Sequence, residues 1–346
     1  MVVIVAMVAG MGMIAATPGV SQAAQCQVAI GVSPGSAVFD YSDAQLTQSF
    51  SETRTLGASW VRIDIPWSLV EATRGTLAWS RVDRLVNAAR ARGLNVLGLI
   101  TYTPKWARVA SSVDSDKLVP ANANDFGVFA GQVARHYQGS VAAYEIWNEP
   151  NLQQFFLPQV SPTKYVSLLK AASTAIRQVS PQTYVLSGGV TGASNTNGNM
   201  HPTDFVRAMY AAGAAGSMNA VAMHPYTYPL DPADTRPNPY NYFNEVPVVH
   251  DVMSSNGDGA KPIWITEYGA PTGQSQGSLS PAAQSTNITN GIRRALQLGY
   301  VGNFFIYSMR DTGTNIYDRE QNFGMRYNND TPKPAYTDLA RLLNGC

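Results

Sequence analysis

The feature that most constrains this chain is a rhythm. Short apolar, strand-like runs alternate with amphipathic helical stretches eight times between Gln27 and Leu343. The strand-like runs span 27–33, 60–67, 94–103, 142–147, 184–190, 220–226, 262–268 and 302–309. They are rich in β-branched and aromatic residues and mostly too short for helices. The helical stretches span 43–56, 80–92, 124–137, 163–179, 203–212, 245–255, 281–298 and 335–343. In 80–92, for example, Val82, Leu85, Val86 and Ala89 fall at helical spacing and Gly93 closes the segment. Such alternation, with no low-complexity linker, predicts one α/β domain with parallel strands. Eight units fit a closed (β/α)8 TIM barrel better than an open doubly wound sheet. The open sheet would want a glycine-rich phosphate loop after its first strand, and Gly31-Val32-Ser33-Pro34-Gly35 lacks that spacing.

The two ends of the chain carry their own signals. Residues 1–20 are nearly all small and apolar, and Ser21-Gln22-Ala23-Ala24 follows with small residues suited to cleavage. An export signal is expected over 1–24, with 25–346 as the folded domain and the protein secreted or held in the cell envelope. No Lys or Arg precedes Arg54, so retention of the segment as an anchor is the alternative. Gln25 is too large to precede a lipidated Cys26. No other apolar run is long enough to span a bilayer. Cys26 and Cys346 are the only cysteines. In an exported chain a lone pair suggests a disulfide, here one that ties the two ends together; two free thiols are the alternative. With 24 basic against 23 acidic residues and no basic cluster, nucleic acid is excluded as a natural partner. No His/Cys/Glu spacing typical of zinc occurs, so neither metal nor cofactor is expected. A monomer is expected.

Barrel chemistry sits at the C-terminal ends of the strands. Those ends carry Arg62 and Trp67, Tyr102 and Trp106, Asn148 and Glu149, His224 and Tyr226, Glu267 and Tyr268, and finally Tyr307, Arg310 and Asp311. Asn151, Phe155, Phe156, Tyr228 and Tyr240 follow in the loops. The fourth end is the densest. Tyr144-Glu145-Ile146-Trp147-Asn148-Glu149-Pro150-Asn151 reads as a buried strand stopped by proline. The residue before proline avoids the α region, so Glu149 is expected to be extended. Strict alternation would put Glu145, Trp147 and Glu149 on one face. Two carboxylates on different strands among aromatic rings are the parts that glycosidic bond cleavage needs.

Trp147-Asn148-Glu149-Pro150-Asn151 together with Ile265-Thr266-Glu267-Tyr268-Gly269 closely resembles the paired signatures of clan A glycoside hydrolases. The resemblance covers nearly all of 25–346 and is greatest to family 39-like bacterial endoglycosidases, with family 5 next. The late segment Phe323-Gly324 and Thr331-Pro332-Lys333-Pro334-Ala335-Tyr336 has the same character. The resemblance implies a (β/α)8 retaining enzyme, with Glu149 as acid/base, Glu267 as nucleophile and carboxyl groups about 5 Å apart. It implies that Asn148 reads the sugar 2-hydroxyl and that His224 and Tyr226 contact the nucleophile or the sugar. Arg62 is expected beside Glu267, holding it ionised, while Glu149 is expected to have a raised pKa.

Simpler readings stand beside these. Glu145 lies deeper in its strand and reads as a barrel-interior charge paired with Arg62 or another basic group. Trp67, Tyr102, Trp106 and Tyr307 are expected to contact substrate, although Tyr102 and Trp106 equally fit loop packing. Arg310 is either a binding residue or half of a structural ion pair with Asp311. The leading function is hydrolysis within a β-linked polysaccharide. A non-catalytic sugar-binding barrel and a transglycosylase are the alternatives.

Overall fold

The computed structural model describes residues 28–344. Strands β1 (Ala29–Val32), β2 (Trp60–Pro66), β3 (Asn95–Thr101), β4 (Ala143–Asn148), β5 (Tyr184–Thr191), β6 (Val221–His224), β7 (Ile263–Tyr268) and β8 (Val301–Ile306) pair in sequence order, all parallel. The sheet closes where Ala29 to Val32 pair with Asn303 to Ile306. Around it run α1 (Asp43–Thr55), the single turn α2 (Trp67–Val70), α3 (Ser80–Arg90), α4 (Ala123–His136) and α5 (Pro162–Val179). The ring continues through α6 (Pro202–Ala211), α7 (Glu245–Ser255), α8 (Pro281–Leu298) and α9 (Pro334–Asn344). The expected (β/α)8 barrel is therefore present, with α2 as an extra turn. Cys26, Cys346 and the expected export segment lie outside the described residues.

Local chemistry sets the helix ends. Ser42 and Gln45 form a capping box at the start of α1. Ser161 and Ser280 cap α5 and α8, each followed by a proline that needs no amide partner there. Gly299 ends α8 in the left-handed conformation, φ 72°. The buried faces of the helices, such as Val82, Leu85, Val86 and Ala89 of α3, form the main core outside the barrel wall. No helix among the described residues is long and apolar enough to cross a membrane.

The barrel interior is layered. Near the start of the strands, Leu97, Ala143, Leu186, Ala220, Ala222, Trp264 and Phe305 form an apolar plug with Trp60. Two residues further along β2, β4, β6 and β7 the same inward positions carry Arg62, Glu145, His224 and Thr266, all buried. Strand periodicity thus stacks a polar layer directly on an apolar one.

Candidate active site

β4 delivers two neighbouring residues to the mouth, and it does so by breaking its own alternation. Trp147 has φ 72° and Glu149 φ 44°, both in the left-handed region. Non-glycine residues adopt this region at a cost, and such strain concentrates at functional sites. The expectation of an extended Glu149, and of one face shared with Trp147, is therefore corrected. Trp147 is fully buried against Phe126 of α4 and Phe156, and its indole N–H donates to the Phe155 carbonyl at 2.8 Å. With Trp147 diverted, Asn148 and Glu149 both reach the cleft.

Arg62 is the hub beneath them. It donates to Glu145 through Nε (2.7 Å) and Nη2 (3.1 Å), to Asn148 Oδ1 (2.9 Å) and to Glu267 Oε1 (2.5 Å). The expected pairing of Glu145 with Arg62 is thus observed, and Glu145 also accepts from the Gly189 amide and the Thr266 hydroxyl. Glycine at 189 is needed here, since a Cβ would lie 2.2 Å from His224 Nε2. His224, fully buried, places Nδ1 3.0 Å from Glu149 Oε1 and Nε2 3.0 Å from Thr266 Oγ1. Because the Thr266 proton points to the acceptor-only Glu145 carboxylate, Thr266 receives a hydrogen bond from His224, and Nε2 carries a proton. A single proton then lies between Nδ1 and Glu149: either a protonated Glu149 donates to neutral imidazole, or imidazolium donates to carboxylate.

The two glutamates are pushed apart electrostatically. Burial raises the Glu149 pKa, and the opposing His224 contact does not cancel it. Burial acts the same way on Glu267, but His224, the Arg62 guanidinium and the Tyr226 hydroxyl outweigh it and leave Glu267 below the ordinary carboxylate range. Burial alone would lower the His224 pKa; the charges and bonds of Glu267 and Glu149 reverse this and raise it. Burial and Glu267 hold the Tyr226 phenol protonated, so it donates to Glu267 Oε2 at 2.9 Å. One oxygen each of Glu149 and Glu267, and one His224 nitrogen, lie within 4.8 Å of one another. This is the one such trio among the described residues. Its chemistry disfavours a cation, because Arg62 already holds Glu267 and both His224 nitrogens are bonded.

A cleft of about 1130 Å³ opens above this layer and is lined by Arg62, Asn148, Glu149, Tyr226 and Glu267, with Tyr102 and Tyr307 on its walls. Of the loop aromatics, Phe155 and Tyr228 line it as well, whereas Phe156 is buried and Tyr240 stands exposed. Asn151 is buried, holding the backbone of Thr191 and Met200. Trp67, expected at the substrate rim, is instead fully buried; it begins α2, stacks on Phe129 and donates to Glu71. Trp106 is off the cleft too, packed edge-on against Trp67 with its N–H on the Glu71 carbonyl. Arg310 is buried and pairs with Asp330, not Asp311, whose partner is Lys333 at 2.8 Å. Sequence reasoning missed Thr266, Asp64, Asp116, Lys117 and Arg319. Thr266 directly precedes Glu267, and Asp64 shares the face of Arg62 two residues on, so both had a period-2 signal; the loop residues had none.

A closed parallel barrel with two unlike carboxylates facing each other across its mouth defines a retaining (β/α)8 glycoside hydrolase. The profile of the cellulase family, glycosyl hydrolase family 5, matches residues 22–300, and the chain belongs to that family. No curated protein sequence matches. Solved structures share the fold. A family 39 glycoside hydrolase from Bacteroides cellulosilyticus WH2 is 21% identical, with TM-score 0.73 over 94% of this chain and 65% of that one. A monomeric β-xylosidase from Caulobacter crescentus CB15 is 18% identical, with TM-score 0.67 over 91% and 67%. A GH5_18 variant from Streptomyces cattleya, in complex with Manβ1-4GlcNAc, is 16% identical, with TM-score 0.70 over 92% and 80%. The chain thus spans about two thirds of the length of the first two. Families 39 and 5, the two that its motifs resemble, are both represented.

Proposed function

We propose that this chain is an exported, endo-acting glycosidase that cleaves a β-linked polysaccharide by double displacement, with Glu149 as acid/base and Glu267 as nucleophile. The observation that carries this reading is the opposed electrostatics of two carboxyl groups whose nearest oxygens approach within 4.8 Å. So close an approach of oxygens suits a retaining enzyme, whose carboxyl groups stand about 5–5.5 Å apart, better than an inverting one, which needs roughly 6.5–9.5 Å to admit its water. Glu267 attacks the anomeric carbon as the glycosidic C–O bond breaks, and Glu149 gives its proton to the departing oxygen. Water then attacks the same carbon, Glu149 takes its proton, and Glu267 leaves. Arg62 and Tyr226 keep the nucleophile ionised and aimed, while His224 keeps a proton available to Glu149. Asn148, oriented by Arg62, is placed to bond a sugar hydroxyl.

The open cleft with several aromatic walls supports binding along a chain, and small apolar residues over 1–24 support export. The cellulase family and the β-xylosidase among the fold relatives support a β-linkage. Reducing-end release from cellulose, xylan, mannan and galactan, by the parent and by Glu149→Gln and Glu267→Gln, tests the assignment. The parent should act on at least one polymer and both variants should be silent. NMR of the first-formed anomer should show retention; inversion overturns the mechanism.

A further inference from the structure

Six acidic residues line the cleft, and five of them have partners. Asp40 pairs with Arg81, Asp116 with Lys117 and Ser68, Glu320 with Arg319, Glu149 with His224, and Glu267 with Arg62 and Tyr226. Asp64 has neither a hydrogen-bond nor an ion-pair partner among the described residues. It follows Arg62 by two positions on β2, so it faces the lumen one layer nearer the mouth. Arg62 spends its four hydrogen bonds elsewhere. Burial, with Arg62 in opposition, pushes the Asp64 carboxyl up to about 6. The side chain is only partly buried and lines the cleft, so its two oxygens stay open to whatever the cleft binds.

Resting on the glycosidase reading above, we propose that Asp64 is a specificity-determining residue. Its two oxygens accept a pair of adjacent hydroxyls from the sugar ring bound on the Glu267 side of the scissile bond. An ionised carboxylate has acceptors only and offers two oxygens side by side, which suits two neighbouring O–H donors. On β2 it stands two residues beyond Arg62, and the Glu267 charge acts on its carboxyl, so it lies within reach of the ring that Glu267 attacks. A site built around such an acceptor rejects rings lacking those hydroxyls, because a bound ring without them covers the carboxylate and leaves it unpaired. The substrate class is therefore a glycan with free, unesterified vicinal hydroxyls at that ring.

The test uses the full chain silenced by Glu149→Gln, titrated calorimetrically with cellohexaose, mannohexaose and xylohexaose, with and without Asp64→Asn or Asp64→Ala. Melting temperatures are measured in parallel without ligand. Affinity for whichever hexasaccharide binds should fall at least about tenfold in both variants, while the melting temperature holds or rises, because an unpaired acid is removed. Full acetylation of the bound hexasaccharide should abolish the difference between Asp64 and its variants. Unchanged affinity overturns the proposal, as does a lower melting temperature in Asp64→Asn, which would make the residue structural. If the silenced parent binds none of the three, the glycosidase reading fails and the Asp64 proposal falls with it, whereas a parent that binds and loses nothing on Asp64→Asn overturns the Asp64 proposal alone.

Discussion

The barrel interior holds two layers built from the same strands two residues apart, and they obey opposite rules. The lower plug is apolar: Trp60 and Trp264 meet edge-on at 5.4 Å, and Phe305 packs against both. Its contribution is burial, and each ring is replaceable by another of similar volume. In the upper layer Arg62, Glu145, Thr266 and His224 are joined by hydrogen bonds, so each member fixes the protonation or orientation of the next. Such a layer adds little net stability over an apolar one but is intolerant of partial removal. Stability and chemistry are thus separated by one strand repeat.

The largest effect expected is at the upper layer and the cleft carboxylate that it holds. Glu267→Gln should lower kcat by at least about 10⁴-fold with the melting temperature unchanged, measured on any polymer the parent cleaves. Arg62→Met should lose activity and also about 3–5 kcal/mol of stability, because Glu145 is left charged and buried. Denaturant titration of Arg62→Met with Glu145→Met should show the stability recovered and the activity still absent; a double variant as unstable as the single would break the comparison. Phe305→Ala in the plug should cost about 3–5 kcal/mol by the same titration, yet change kcat/KM by less than about threefold in the protein that remains folded. The smallest effect is in pH. Activity should fall at low pH as Glu267, held below the ordinary range, becomes protonated. It should fall again at high pH as the raised Glu149–His224 pair loses its shared proton. Thr266→Val frees His224 to carry its proton on Nδ1, which forces Glu149 to ionise. The alkaline limb should then move down by about one pH unit, roughly tenfold in rate, and Thr266→Ser should restore it.

The barrel was legible because its signals are periodic. The strand and helix bounds expected from apolar spacing fall within a few residues of those observed, as in 245–255 and 281–298. That Glu149 and Glu267 share one cleft was legible because both stand at strand ends, which gather at the barrel mouth. What failed was whatever departs from period. Trp147 carries no glycine to announce its left-handed backbone, so alternation misplaced it and its neighbours. Trp67 reads as a strand terminus, but the chain turns into α2 there and takes the indole into the core. Arg310 reads as a binding residue or as the partner of its neighbour Asp311, yet it is absent from the cleft lining, and the loop return brings Asp330 to it and Lys333 to Asp311. Contacts between distant loops leave no trace in local pattern.

Arg62 also joins three strands that are not adjacent in the barrel wall, reaching from β2 to Glu145 and Asn148 on β4 and Glu267 on β7. A guanidinium bonded across the lumen couples the breathing of those strand ends, since none can swing outward without stripping the others. Native-state amide exchange should therefore find the mouth ends of β2, β4 and β7 opening as one unit, at a common free energy, and separating only when Arg62 is replaced.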